Sequence, residues 1–282
     1  MPQPIIAVIG AGVMGEAILA GIIKKGVTAP DCIRAADTVT DRLEKLHSEY
    51  GVPGFTDNAA AVQQAQVVIL SIKPQQMKKV LPHLRGKIDP QALVISIVAG
   101  IPVQEIVNGL NHPLVVRAMP NTPAQIGEGI TMWTCAPTVS DDQRELARSI
   151  LRALGQEIFD QEESYLDMAT ALSGTGPAYV FLFMEALIDA GVHLGFQRST
   201  AEQLVLQTVR GSVDYYAQKK DHPAHLRNQV TSPAGTSAAA LYYLEKAGFR
   251  TAISRAIWAA YQRSLELGKG RETQPPSNEK HD

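Results

Sequence analysis

Two kinds of hydrophobic pattern alternate along the first 160 residues. Short apolar runs, several of them rich in β-branched residues, stand at Ile5–Ile9, Ile33–Ala36, Val67–Ser71, Leu93–Val98, Leu114–Met119 and Ile130–Cys135, and each reads as a buried strand. Between them lie segments with helical spacing. Val13–Lys24 carries the small residues Ala17, Ala20 and Gly21, suited to close packing on a sheet, and Thr40–Tyr50 is charged and amphipathic and ends at Gly51. Strands alternating with helices of this length predict βαβ units and a parallel sheet. Ser140 then stands as an N-cap before Asp141–Leu154, a helix that Gly155 ends.

After about residue 160 the pattern is helical only, over Glu163–Leu172, Pro177–Leu194, Ser199–Gln218, Thr236–Ala247 and Thr251–Leu267. The chain therefore divides into an α/β domain (residues 1–160), an all-helical domain (161–269) and a polar, proline-containing tail (270–282) expected to be disordered. Pro177–Ile188 is apolar around much of its circumference. A helical domain this small has few places to bury such surface alone, so a homo-oligomer joined through it is expected.

Composition narrows the classes. A chain of 282 residues with 45% apolar and 19% charged residues suits two globular domains with real cores. Its net charge of −2, with no basic block, argues against nucleic acid as a partner. No run approaches the ~20 uncharged apolar residues of a membrane span, since Glu185 breaks the longest one. Ile5–Ile9 runs straight into glycines, which suits a strand rather than a signal peptide. Cys32 and Cys135 are expected to be buried free thiols, and the chain to be cytoplasmic.

The candidate chemistry begins at Gly10-Ala11-Gly12-Val13-Met14-Gly15, which follows a strand and opens a helix. That is the dinucleotide fingerprint of a Rossmann-type domain. Gly10 permits the tight turn, Gly12 lets the backbone approach a pyrophosphate, and Gly15 lets the helix lie close to the strand. The N–H groups at Val13 and Met14 face the phosphates at the helix N-terminus. Asp37, 22 residues after Gly15, ends the second strand. An acid there accepts from the adenosine ribose and favours NAD. It serves equally as a cap for the next helix, and Arg34 or Arg42 could instead pair with a 2′-phosphate, so NADH and NADPH both stay open.

Lys73-Pro74-Gln75 follows the strand Val67–Ser71 at its carboxyl end, where open α/β sheets bind ligands. In Met119-Pro120-Asn121-Thr122-Pro123 two prolines stiffen the loop, and Asn121 offers a neutral donor and acceptor near a nicotinamide. Two helix starts in the helical half, Ser173-Gly174-Thr175-Gly176-Pro177 and Thr231-Ser232-Pro233-Ala234-Gly235-Thr236-Ser237, set hydroxyls and free backbone N–H groups ahead of apolar helices. Such an end holds a carboxylate without lysine or arginine.

Taken together, Ile9 to Gly15, Ile72 to Gln75, Arg117 to Pro123, Leu172 to Tyr179 and Val230 to Ser237 resemble the pyrroline-5-carboxylate reductase family, over nearly the whole chain. The resemblance implies reduction of pyrroline-5-carboxylate to proline with NADPH or NADH. It also implies a dimer with interleaved helical domains, often assembled further into a decamer. It places the substrate carboxylate on Ser232, Gly235, Thr236 and Ser237; of these, the Ser237 hydroxyl is expected at the ring nitrogen, with Thr236 as the other candidate catalytic hydroxyl. Where the family usually has Pro-Gly-Gly-Thr-Thr, this chain has Pro233-Ala234-Gly235-Thr236-Ser237, and alanine tolerates positive φ poorly.

One rival keeps the imine chemistry and changes the ring, such as a piperideine carboxylate, and it stays open; the others lack their chemical groups. A β-hydroxyacid dehydrogenase needs a lysine on a helix of its second half, and no lysine occurs from residue 88 through 218. Glu185, Asp189 and His193 share a helix face but suit a polar stripe better than an acid/base cluster. His222 and His225 alone do not make a metal site, and none is expected. A non-catalytic dinucleotide sensor would have no need of the two helix-start loops.

Overall fold

The computed structural model describes residues 3–268, and the tail expected at 270–282 lies outside them. The first six strands and their helices follow in order: β1 (Ile6–Ile9), α1 (Val13–Lys24), β2 (Ile33–Ala36), α2 (Thr40–Tyr50), β3 (Gly54–Phe55), α3 (Asn58–Ala61), β4 (Val67–Leu70), α4 (Met77–Leu84), β5 (Leu93–Ser96), α5 (Val103–Leu110) and β6 (Val115–Met119). These are followed by β7 (Gly129–Cys135), α6 (Asp141–Arg152) and β8 (Gly155–Phe159). The eight strands form one sheet in the order β3-β2-β1-β4-β5-β6-β7-β8.

The sheet divides the core by the strand's two-residue period. β1 sends Ile6 and Val8 to one face, against Ile18, Leu19 and Ile22 of α1 and Ile150 and Leu151 of α6. It sends Ala7 and Ile9 to the other, against Met77, Leu81 and Leu84 of α4 and Ile106 of α5. Both faces are covered, so the inner strands β1, β4 and β5 are fully buried runs without polar alternation.

Three features of the sheet depart from the sequence reading, and the first is the short edge strand β3, which no apolar run marked. β7 runs antiparallel to β6, with Met119 opposite Met132. Only nine residues separate the two strands, too few for the crossover a parallel neighbour requires. β8 pairs in parallel with β7, because α6 supplies that crossover; the sequence reading placed no strand there. As expected, Ser140 caps α6 in a capping box with Gln143.

The helical half contains α7 (Ser164–Ala169), a π turn (Thr170–Gly174), α8 (Gly176–His193), α9 (Arg198–Lys219), α10 (Pro223–Gln229), α11 (Thr236–Lys246) and α12 (Phe249–Gly268); α10 is a helix that periodicity did not predict. The compact units do not divide at residue 160. One holds the described residues through Thr175 together with Ala260 to Gly268, and the other is Gly176–Ala259. The shift has a physical cause, since α7 is ion-paired to β6 through Arg117.

The π turn keeps Ser164–His193 helical throughout, so two segments read separately in the sequence merge into one helix. By length and composition alone it could cross a membrane, although no single uncharged run of that length exists, and only 6% of its most apolar window is buried within the chain. Phe181, Leu182 and Phe183 are exposed along it, as are Leu204, Leu206 and Val213 on α9. Cys32 and Cys135 are unpaired, but half-buried rather than buried.

Candidate active site

The sheet changes winding direction at β1, which lies between β2 and β4. Ligands of open α/β sheets bind outside the strand carboxyl ends at such a switch point. Here those ends are Gly10 after β1 and Ser71–Lys73 after β4, neighbours through the pairing of Ile9 with Leu70.

The three loop glycines stand in three different surroundings. Gly10 has φ +98°, and a Cβ on it would lie 2.4 Å from the Ser71 carbonyl oxygen. A Cβ on Gly15 would lie 2.1 Å from the Gly10 carbonyl oxygen, so α1 can start against the strand only without one. At Gly12 a Cβ would meet no protein atom within 4 Å. Folding of the chain does not demand glycine at that point, and the open space leaves room for a ligand to approach the backbone. Gly12 is the N-cap of α1 and no side chain caps it, so the first-turn N–H groups of Val13, Met14 and Gly15 point toward open space with the positive end of the helix dipole. A pyrophosphate fits this cradle.

Asp37 accepts from two backbone N–H groups, one in the glycine loop and one beyond β2. Its Oδ2 accepts from the Ala11 N–H at 2.9 Å and its Oδ1 from the Val39 N–H at 2.9 Å. It therefore staples the end of β2 to the glycine loop, and the N-cap of α2 is Val39. Arg42 reaches Asp37 Oδ2 at 3.4 Å from an exposed position. Arg34 is turned away, bonded to the carbonyls of Ala61 and Gln63. Behind the cradle, Glu16 of α1 holds Lys45 at 2.7 Å, raising the lysine pKa. Burial, with help from Glu49 and Glu16, pushes the Tyr50 phenol up to about 12.

Lys73 is exposed and precedes a short turn at Pro74–Gln76. Asn121 is half committed. Its Oδ1 accepts from the Ile130 N–H at 2.9 Å, fixing the loop between β6 and β7.

The first of the two expected helix starts lies at Gly176, one residue beyond a π turn. Thr175 N–H reaches back five residues to the Thr170 carbonyl at 2.8 Å, and the Thr175 hydroxyl joins the same oxygen at 2.9 Å. Thr175 thus joins the π turn Thr170–Gly174, a feature that recurs at functional sites, to α8 at Gly176, and Gly174 packs under Met119 Cε.

The second helix start stands as read. Gly235 donates to the Ser232 carbonyl at 3.1 Å, closing a turn with Pro233 and Ala234 at its centre. Ala234 adopts φ +59°, the left-handed value a type II turn needs at that position. A Cβ on Gly235 would lie 2.5 Å from Ser232 Oγ. Gly235 is the N-cap of α11 and no side chain caps it. The first-turn N–H groups, the exposed Thr236 and the half-buried Ser237 are open to an anion.

Sequence reasoning missed the buried cluster around Arg117, which lies at the middle of β6 and is 3% exposed. It appeared in the sequence only as the leading residue of a longer motif. A charged residue inside an apolar strand was the one signal that could have marked it.

A glycine cradle at the switch point of a doubly wound sheet, followed by a helical unit with an uncapped helix tip, defines a dinucleotide-binding protein of the two-unit oxidoreductase type. Residues 163–267 match the family model described as pyrroline-5-carboxylate reductase dimerisation, and residues 5–100 match one described as NADP oxidoreductase, coenzyme F420-dependent. A pyrroline-5-carboxylate reductase of Synechocystis sp. is 42% identical, covering 94% of this chain and 98% of the relative. Among solved structures, a pyrroline-5-carboxylate reductase from Coxiella burnetii is 37% identical with a TM-score of 0.84, covering 94% and 98% of the two chains. A Plasmodium falciparum pyrroline carboxylate reductase with NADP bound is 30% identical with a TM-score of 0.87, covering 95% and 99%. The chain belongs to the pyrroline-5-carboxylate reductase family.

Proposed function

We propose that this protein reduces 1-pyrroline-5-carboxylate to L-proline with NADPH or NADH, the last step of proline biosynthesis. The observation that carries the reading is the pairing, in one chain of this family, of an open Gly12 in the cofactor cradle with an uncapped helix start at Gly235.

Gly10, Gly12 and the N–H groups of Val13, Met14 and Gly15 hold the pyrophosphate. Asp37 keeps that loop in shape, and Lys73, Pro74 and Asn121 would hold the nicotinamide end. When bound, the reduced nicotinamide supplies a hydride to the imine carbon. The backbone N–H groups of Thr236 and Ser237, with the Ser232 and Thr236 hydroxyls, hold the substrate carboxylate, and Gly235 lets it approach the helix start. The Ser237 hydroxyl hydrogen-bonds the ring nitrogen. A cyclic imine is basic enough to arrive protonated, so that nitrogen already carries the proton the amine product needs. Catalysis is then chiefly positioning.

The helical unit self-associates, and its exposed apolar side chains are the surface a second copy covers. A dimer is the basic unit, and a decamer of such dimers is compatible with it. Two unpaired thiols suit a reducing, cytoplasmic setting.

The test of the site is Ser237→Ala. Turnover falls by about tenfold or more, as for loss of one hydrogen bond to a charged group, with the KM for NAD(P)H unchanged. Unchanged kcat and KM with the imine would remove Ser237 from this role.

A further inference from the structure

We propose that the buried cluster of Arg117, Asp167 and Ser264 is one lock on both connections between the two units, and that these are positioning residues for imine reduction. The chain leaves the nucleotide-binding unit after Thr175 and returns to it at Ala260. Asp167 lies on α7, just before the first crossing, and Ser264 on α12, just after the second. A single oxygen, Asp167 Oδ1, accepts from Arg117 at 2.9 Å and from the Ser264 hydroxyl at 2.8 Å. Arg117 also donates to Glu163 Oε1 at 3.0 Å, and that oxygen takes the Val103 N–H at 2.7 Å. Two shared acceptor oxygens therefore tie β6, α5, α7 and the returning end of α12.

The packing around the cluster is equally close. A Cβ on Gly100, whose φ is +76°, would lie 2.9 Å from the Ser264 carbonyl oxygen, and one on Gly268 would lie 2.2 Å from the Gly100 carbonyl oxygen. Arg117 also stands two residues before Met119, whose Cε rests on Gly174 of the π turn. A guanidinium this buried is costly unless paired, and well-packed apolar residues would hold the elements together as firmly. What the ion cluster adds is a shared acceptor for both chain segments. Moving either connection breaks a bond that the other shares.

The claim about catalysis rests on the reductase reading, so the experiment separates the two. Ser264→Ala in the full-length protein removes only the α12 side of the lock. Amide hydrogen exchange should quicken by about tenfold in residues 260–268 and also in residues 166–175, which the substitution does not touch. The KM for the imine should rise or kcat fall by about tenfold, while the KM for NADPH stays within about twofold. Ser264→Cys, with a similar shape and a weak donor, should recover part of both effects. Faster exchange confined to 260–268 would overturn the lock. So would loosening of both segments with unchanged imine kinetics, which leaves the cluster a purely structural role. A wild-type protein that does not reduce the imine contradicts the function instead, and the exchange pattern still decides the lock. Asp167→Asn, which keeps an acceptor oxygen but loses the charge, should loosen the same two segments.

Discussion

At the scale of single residues, backbone conformation says more than side-chain chemistry. Ala234 holds φ +59° in an exposed turn, and a left-handed backbone costs a residue with a β-carbon roughly 1–2 kcal/mol. Glycine there would give back part of that as unfolded-chain entropy, about 0.5–1 kcal/mol. Ala234→Gly should therefore stabilise the protein by about 0.5–1 kcal/mol, read as a higher denaturant midpoint at unchanged m-value. A lower midpoint would mean that the turn does not strain the alanine. Asp37 gives a second prediction. Its loss leaves the buried Ala11 N–H without its partner, at a cost of about 1–3 kcal/mol to the loop. Asp37→Ala should raise the KM for NADH and NADPH together. If NADH weakens while NADPH tightens, the carboxylate reads the ribose and the staple is secondary. The glycine positions were legible because a turn and a close packing exclude a Cβ, and a ligand's approach is easier without one. The role of Asp37 was not, because an acid at a strand end looks the same in sequence whether it faces a ribose or a neighbouring N–H.

At the scale of elements, the six predicted strands and the helices between them were readable because fully buried strands make short β-branched runs. Strand direction left no such mark. It had to come from connection length, and the nine residues before β7 carried it. β8 was hidden because its sequence, Gly155-Gln156-Glu157-Ile158-Phe159, mixes polar and apolar residues at the sheet edge. The π turn was hidden because Gly174, Gly176 and Pro177 look like a break, while hydroxyls at Thr170, Ser173 and Thr175 return to helix carbonyls and carry the axis through. The Arg117 cluster belongs to this scale too. Arg117→Leu leaves Asp167 and Glu163 facing each other without a cation, and should destabilise the protein by about 3–5 kcal/mol in thermal or urea unfolding. A loss under about 1 kcal/mol would show that both carboxylates are hydrated in place, which Glu163, 34% exposed, allows and Asp167, 13% exposed, argues against.

At the scale of the whole molecule, the two units differ in how they satisfy their apolar surface. The nucleotide-binding sheet buries both faces within one chain. The helices of the second unit leave Phe181, Leu182, Leu206 and Trp258 largely exposed. That imbalance predicts a solution mass at a multiple of 30.4 kDa in sedimentation velocity, and a species of the single-chain mass persisting at micromolar concentration would contradict it. Amino-acid sequence conveyed this excess of apolar helix surface, yet not where the chain passes between units, because that depends on the ion pairs at Arg117. The central claim is that a dinucleotide cradle and an anion-holding helix tip serve one reaction. Its most direct measurement is the fall in absorbance at 340 nm when the protein meets NADPH or NADH with 1-pyrroline-5-carboxylate. The account predicts saturable oxidation of the cofactor with stoichiometric proline, reduced at least tenfold in Ser237→Ala. No oxidation with either cofactor, or oxidation without proline, would contradict it.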